Sequence, residues 1–311
     1  MSEPKIPIAL LGASGYAGQV MHALLMHHPR MRPIVVDARA PADAGAAIVR
    51  DTEAAVLALP DEAAREWTAA LDVRVVDLSS AHRTDAAIHY GLPELFGAPP
   101  PSAKVVSSPG CYPTATLLAT LPLQRAKVIE GPIAIVGCSG TSGAGKPMRE
   151  DLHFSELHDN FFPYKVGTHK HIAEIEHYLG TAVSFVTQLL PIVRGLLVTA
   201  FVRTEHEPAR LHATLVDAYA NHPWVSVIDE PGLGLGVRHV VGTHQAVLAV
   251  GPRAHGGLVP VFAAIDNLMR GAASQALHTL NLWLGLPADL GLPRPLAIAP
   301  AGVPGMTRAL A

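Results

Sequence analysis

Ile6-Pro7-Ile8-Ala9-Leu10-Leu11-Gly12-Ala13-Ser14-Gly15-Tyr16-Ala17-Gly18 is the stretch whose reading decides the fold. Ile6 to Leu11 is apolar on both alternations and stops at a glycine, the pattern of a short strand buried on both faces. Val20, Met21, Leu24 and Leu25 then follow at helical spacing, so the segment reads strand, G-x-x-G-x-x-G turn, helix. Glycines there let the backbone turn tightly and approach a pyrophosphate, whose charge sits at the amides and positive end of the helix. A merely tight strand-to-helix turn is the alternative; a second strand at Pro33–Asp37, one helix length on, favours the dinucleotide. That strand's end carries both Asp37, suited to a ribose diol, and Arg39, suited to a 2′-phosphate, so these residues leave NAD and NADP open.

Further strands are expected at Ala55–Leu59 and Val73–Leu78, with a helix over Asp61–Leu71 that Asp61 would N-cap. The alternation predicts a parallel, doubly wound sheet with ligands at the carboxyl ends of its strands. Asp77-Leu78-Ser79-Ser80-Ala81-His82-Arg83 is such an end. Ser79, Ser80 and Arg83 either face the ligand or form a capped surface loop, and position alone leaves both open.

The 311 residues exceed the usual ceiling of about 250–300 for one hydrophobic core, so two domains, or one domain with a large insertion, are expected. With 23 Lys+Arg against 26 Asp+Glu, the chain lacks the electrostatic footprint of a nucleic-acid or membrane-surface binder. The N-terminal apolar run is too short for a membrane span and lacks a signal-peptide cleavage site, so a reducing cytosol is expected.

Two cysteines make no disulfide framework. Cys111 lies in Ser107-Ser108-Pro109-Gly110-Cys111-Tyr112-Pro113-Thr114, after a strand and just before a helix, where amides and the helix dipole lower a thiol pKa. That makes it a candidate nucleophile, though position alone also allows a structural thiol. Cys138 follows the apolar run Ile133–Val136 and reads as a buried small hydrophobe, with a second thiol at the site as the alternative. Strands at Ile133–Val136, Val183–Thr187, Leu197–Arg203 and Ala246–Val250 predict a mixed sheet in the second domain. A last helix is expected over Asn267–Leu284, and the Pro- and Ala-rich tail Pro293–Ala311 reads as loosely held. The chain has 17 His, among them His153, His158 and His177, but neither an H-E-x-x-H nor a Cys-rich ligand set, so no metal site is expected.

Gly12-x-x-Gly15-Tyr16-x-Gly18, Ser108–Thr114, Gly140-Thr141-Ser142-Gly143-Ala144-Gly145-Lys146, and His169-Lys170-His171 followed by Glu174-Ile175 occur in this order. Together they resemble the N-acetyl-gamma-glutamyl-phosphate reductase family. Tyr90-Gly91-Leu92-Pro93-Glu94-Leu95 and Ile265-Asp266-Asn267-Leu268, with Gln275-Ala276 and Asn281-Leu282, extend the match to nearly the whole chain. The length resembles the shorter of the family's two forms, with a trimmed cofactor domain.

The resemblance implies an α/β protein with a Rossmann-like doubly wound parallel sheet plus an α+β catalytic and dimerisation domain. Residues 1–110, completed by a C-terminal helix at about 267–311, would bind NADP, and residues 111–266 would hold the substrate. It implies reductive dephosphorylation of N-acetyl-L-glutamyl 5-phosphate by NADPH through a Cys111 thioester, in arginine biosynthesis, with His169 as general acid/base. An unperturbed imidazole titrates near ~6.5 and suits that exchange. Arg83, Arg194, His171 and Ser79 would bind substrate; Gly12, Ser14, Gly15, Tyr16, Gly18, Arg39, Ser142, Gly143 and Asn267 would bind cofactor. A guanidinium suits an anionic substrate because it can grip a carboxylate or phosphate through two parallel hydrogen bonds. A cytoplasmic homodimer or homotetramer with a small-molecule acyl-phosphate substrate is implied.

Two departures stand out. His244 in Gly242-Thr243-His244 replaces an expected Asn, and Ala173 replaces a Pro in the stretch after His171, a loss that a good helix former tolerates. The competing readings are a related phosphorylating semialdehyde dehydrogenase, acting on aspartyl phosphate or a lysine-pathway analogue, and a catalytically silent NADP-binding protein.

Overall fold

The structure, a computed structural model, describes residues 4–39 and 42–294. They divide into two compact units: residues up to Gly110 together with Gly271–Leu292, and Cys111–Arg270 together with the described residues 293 and 294. The expected tail lies for the most part outside the described residues.

The first unit runs β1 (Ile6–Leu11), α1 (Tyr16–His27), β2 (Met31–Val36), α2 (Ala42–Val49), β3 (Ala54–Leu57), α3 (Asp61–Ala70), β4 (Arg74–Asp77), β5 (His89–Tyr90), α4 (Pro93–Phe96) and β6 (Val105–Ser107). Its six-stranded sheet has the order β2-β1-β3-β4-β6-β5, every pair parallel. Ile8–Leu11 and Ala54–Leu57 have no exposed surface, as covering on both faces requires. The strand order reverses between β1 and β3, so the crevice beyond their carboxyl ends is where such a sheet takes a ligand.

One local expectation is corrected here. Pro60, not Asp61, is the N-cap of α3, and no side chain caps it. The Asp61 carboxylate instead accepts the Ser80 backbone N–H at 2.8 Å and the Ser80 hydroxyl at 2.6 Å, tying the start of α3 to the loop after β4.

The second unit runs α5 (Cys111–Arg125), β7 (Glu130–Gly140), α6 (Phe154–Leu157), β8 (Phe162–Tyr164), α7 (His171–Leu179), β9 (Val183–Leu190), β10 (Leu196–Arg203), α8 (Pro208–Tyr219), β11 (Val225–Ile228), β12 (Ala246–Val250) and β13 (Val259–Ile265). Its seven-stranded sheet, β11-β12-β13-β10-β7-β9-β8, is mixed: β7/β9 and β11/β12 are parallel and the other pairs antiparallel. Every residue of α5 from Tyr112 to Leu123 is buried, Pro122 included, so this helix is the core of the unit rather than a surface element.

Strands β8, β11 and β13 escape the sequence pattern. Pro163 and Pro260 lie inside β8 and β13, and a proline argues against a strand when only the sequence is in view. The expected helix over Asn267–Leu284 begins later: Met269–Ala273 form a wide π turn, and the α-helix α9 spans Ser274–Trp283. Within the first unit, Gln275 and Thr279 of α9 both donate to the Gly91 carbonyl, at 2.8 and 3.3 Å. No helix among the described residues is long and apolar enough to cross a membrane.

Candidate active site

The glycine turn of the first unit is dictated by sterics. Gly12 adopts φ +83°, and a Cβ there would sit 2.2 Å from the Ala58 carbonyl oxygen beyond the end of β3. A Cβ on Gly18 would sit 2.1 Å from the Gly12 oxygen. Gly15 carries no such restriction; its N–H donates to the Gly12 carbonyl at 3.2 Å and it N-caps α1 in extended conformation. The first turn of α1 holds no acidic residue and no side-chain cap, so its amides and positive end suit an anion. Tyr16 is the first helical residue and is partly exposed, and the Ser14 carbonyl accepts from Gln19 at 3.1 Å. Asp37 and Arg39, the pair that left the cofactor open, form one exposed two-pronged ion pair at 3.0 and 3.1 Å. Those hydrogen bonds hold the Asp37 carboxyl below the usual carboxylate range.

In the loop after β4, Ser79 and Arg83 are buried, while Ser80, Ala81 and His82 keep part of their surface. Asp77, wholly buried, accepts the Ser79 N–H, the Ser79 hydroxyl and His82 Nδ1, each at 2.8 Å. Arg83 is also buried, its Nε donating to the Ser108 carbonyl at 2.9 Å and its Nη2 to the Leu78 carbonyl at 2.7 Å. Ser79 and Arg83 therefore brace the strand end that leads to Ser108.

In the second unit, Cys111 is half-buried and is the first residue of α5. The Tyr112 ring meets those of His169, His171 and Phe185 edge-on, with centroids 5.5, 6.0 and 5.2 Å away. Its hydroxyl donates to the Gly137 carbonyl and accepts from the Tyr164 hydroxyl, both at 3.3 Å. Burial raises both phenols, Tyr164 to about 12, so both stay protonated at neutral pH.

His169 and His171 are buried with rings 4.6 Å apart. The His171 backbone N–H donates to His169 Nδ1 at 3.2 Å. An amide can only donate, so Nδ1 carries no proton and the neutral His169 ring keeps its proton on Nε2. The expectation of an unperturbed imidazole is corrected: His169 is pushed down to about 4, first by burial and then by the charges of Lys165 and Lys170. The start of α7 at His171 shows that Ala173 serves where Pro was expected.

Cys138 also departs from expectation. It lies within β7, is half-buried, and donates to Gln188 Oε1 at 3.3 Å. Successive strand residues face opposite ways, so with Tyr112 packed at Gly137, Cys138 points away from the histidine cluster. Burial raises its thiol, against thiolate formation.

The glycine-rich loop meets the turn before β10. The Ser142 hydroxyl donates to the Val193 carbonyl at 2.6 Å and accepts from Asn267 Nδ2 at 2.9 Å, while Asn267 Oδ1 accepts the Gly195 N–H at 2.9 Å. A Cβ on Gly143 would lie 2.8 Å from the Ser139 hydroxyl. Thus Ser142, Gly143, Arg194 and Asn267 come together although they span more than a hundred residues. His244, in place of the expected Asn, is buried; Nε2 meets Arg270 Nη1 and the ring lies 5.2 Å from that of Trp224. Sequence reasoning missed Asp266, a wholly buried carboxylate beside Arg194, and the Tyr164–Phe185 wall. The former stood in a quoted motif but carried no signal of its contacts.

Comparison with known proteins agrees with this architecture. The family described as "Semialdehyde dehydrogenase, dimerisation domain" matches residues 111–267, and "Semialdehyde dehydrogenase, NAD binding domain" matches residues 42–99. A protein of Stenotrophomonas maltophilia named N-acetyl-gamma-glutamyl-phosphate reductase is 34% identical, covering 94% of this chain and 100% of that one. One of the same name from Desulforudis audaxviator is 42% identical over 65% of this chain and 61% of its own. The solved structure of aspartate semialdehyde dehydrogenase II from Vibrio cholerae, complexed with ASA, superposes with TM-score 0.71 at 16% identity over 91% of this chain and 99% of that one, a likeness of fold.

Proposed function

Because the chain belongs to the N-acetyl-gamma-glutamyl-phosphate reductase family of semialdehyde dehydrogenases, we propose that Cys111 is its nucleophile and His169 the proton donor and acceptor beside it. The protein is an oxidoreductase that converts N-acetyl-L-glutamyl 5-phosphate to N-acetyl-L-glutamate 5-semialdehyde in arginine biosynthesis, with NADPH as reductant and phosphate as second product. The observation that carries the residue assignment is the cluster in which the ring next to Cys111 lies against both His169 and His171.

The thiolate of Cys111, favoured by the start of α5, attacks the acyl carbon; a C–S bond forms, the C–O bond to phosphate breaks and phosphate leaves. When bound, NADPH supplies the hydride that reduces the thioester carbonyl. His169 Nε2–H shares its proton with the oxygen that becomes negative, through a hydrogen bond that stabilises the charge without leaving an imidazolate, and keeps it as the C–S bond breaks, releasing aldehyde and restoring the thiolate. Keeping the ring neutral at rest, as its low pKa does, holds that proton on Nε2 in place for donation. His171 fixes the tautomer through its amide.

The steric cradle at Gly12 and Gly18 and the acid-free start of α1 fit a pyrophosphate. Gly12, Ser14, Gly15, Tyr16 and Gly18 would hold it, with Arg39 on the 2′-phosphate and Ser142, Gly143 and Asn267 toward the nicotinamide. Arg39 is exposed and can exchange Asp37 for a dianion. Arg83, Ser79, Arg194 and His171 are assigned to substrate by the family resemblance; Arg83 and Ser79 also brace the strand end.

A homodimer or homotetramer is supported by the face of the second sheet that carries Ala134, Val136, Leu197, Phe201 and Phe262. These apolar side chains alternate with the buried ones under α5 yet keep exposed surface. The cytoplasm suits a nucleophile that must stay reduced.

The substrate is tested by NADPH oxidation with N-acetyl-gamma-glutamyl phosphate against aspartyl phosphate. The first is expected to be preferred; a clear preference for the second overturns the assignment.

A further inference from the structure

Asp266 has no exposed surface, and each of its carboxylate oxygens is committed. Oδ1 accepts the backbone N–H groups of Leu268 at 2.8 Å and Met269 at 3.0 Å. Oδ2 accepts the Gly242 N–H at 2.7 Å and lies 3.9 Å from Arg194 Nη1. Among the described residues the guanidinium is the one cationic group within 4 Å of this carboxylate, and the Arg194 side chain keeps 35% of its surface exposed.

The turn that carries Arg194 is fixed from both sides. Asn267 takes the Gly195 N–H, while the Ser142 hydroxyl and N–H both donate to the Val193 carbonyl. Gly195 adopts φ +111°, and a Cβ there would lie 2.7 Å from Val237. A backbone held this firmly restricts where a long cationic side chain can reach, and a buried carboxylate 3.9 Å from Nη1 draws the guanidinium toward it by charge rather than by a hydrogen bond.

We infer that Asp266 is a positioning residue that holds Arg194 to read the carboxylate group of the substrate, making the 266–267 dipeptide and the 193–195 turn a carboxylate-selecting clamp. This rests on the assignment of Arg194 to substrate. Asp266 offsets one unit of charge, which suits the guanidinium to a monoanion rather than to the phosphate dianion. A carboxylate also stays bound through both half-reactions, whereas phosphate departs after the first. Removing the group a site is built to pair leaves that site's charge unpaired, so selection against an analogue lacking it is strong.

The test compares wild type, Asp266→Asn, Arg194→Ala and the double variant on N-acetyl-gamma-glutamyl phosphate and on 4-acetamidobutyryl phosphate, which lacks the carboxylate. Asp266→Asn is expected to raise KM for the full substrate about tenfold, to leave KM for NADPH within about twofold, and to add less than about twofold in the Arg194→Ala background. Wild type should prefer the full substrate by about a hundredfold, and both single variants should lose most of that preference. If Asp266→Asn raises KM as much with Arg194 absent as with it present, or keeps wild-type discrimination, Asp266 only caps the chain and the inference fails. If Arg194→Ala leaves KM and discrimination unchanged, the prior assignment of Arg194 fails instead. Should thermal melting show Asp266→Asn unfolded, Asp266→Glu, which keeps the charge and displaces it, goes through the same cycle with the same criteria.

Discussion

The glycine turn of the first unit and the histidine–arginine region of the second are built on opposite principles. Most of what shapes the turn lies between Leu11 and Gly18, closed by the Ala58 carbonyl and the tip of the Leu59 side chain, and its rule is the lack of a Cβ at Gly12 and Gly18. The second region is made of side chains brought from distant segments: Tyr112 with Tyr164, His169 and Phe185 in one cluster, Ser142 with Val193 and Asn267 in another. A site made of backbone tolerates almost no added volume. One made of side chains depends on tautomers, charges and rotamers that neighbours set. Substitutions should therefore fail differently in the two regions.

The largest effect is expected from Cys111→Ser, which should lower kcat by on the order of 10⁴-fold or more, because a hydroxyl is a far weaker nucleophile than a thiolate. NADPH binding, measured by fluorescence titration, should persist. Retained turnover would refute the nucleophile. Gly18→Ala comes next: its methyl would meet the Gly12 carbonyl at 2.1 Å, so the turn must open. A loss of stability on the order of 3–5 kcal/mol and of NADPH binding is expected, read by calorimetry and the same titration. Unchanged binding would mean that the turn does not hold the cofactor.

His169→Asn should lower kcat by about 10²–10³-fold and also change the response to acid. Because the folded-state pKa lies near 4 and the unfolded value near 6.5, the unfolded chain binds the proton first as pH falls. Stability present above pH 6.5 is lost as pH falls toward 4, by about 3 kcal/mol, and Asn at 169 removes that share of the slope. Equal melting-temperature slopes in both proteins would contradict the buried neutral ring. The smallest effect is expected at Arg39→Ala, whose ion pair with Asp37 is exposed: about a tenfold rise in KM for NADPH with KM for NADH unchanged. Equal rises for both cofactors would remove Arg39 from the 2′-phosphate.

Legibility in the sequence follows the same division. β1, the turn and α1 could be read within a residue or two because a doubly buried strand and a steric glycine leave local marks. Asp61 misled because its best partners, the Ser80 amide and hydroxyl, lie nineteen residues away and outcompete the N-cap role. Cys138 reads in the sequence as a residue after a buried strand, and the structure places it within β7, half-buried. It is a strand residue on the half-open face, and strand alternation could be applied only once Tyr112 was located over Gly137.

Composition, the G-x-x-G-x-x-G turn, the thiol at a helix start and the G-x-H-x-H stretch were all visible in the sequence, because each is a local pattern with a local physical cause. The state of His169, the pairing of Asp266 with Arg194 and the clamp on Gly195 were decided only by tertiary structure. Burial, the fields of neighbouring lysines and hydrogen bonds across 72 residues of chain separation between Gly195 and Asn267 exist only after the sheet of the second unit has formed.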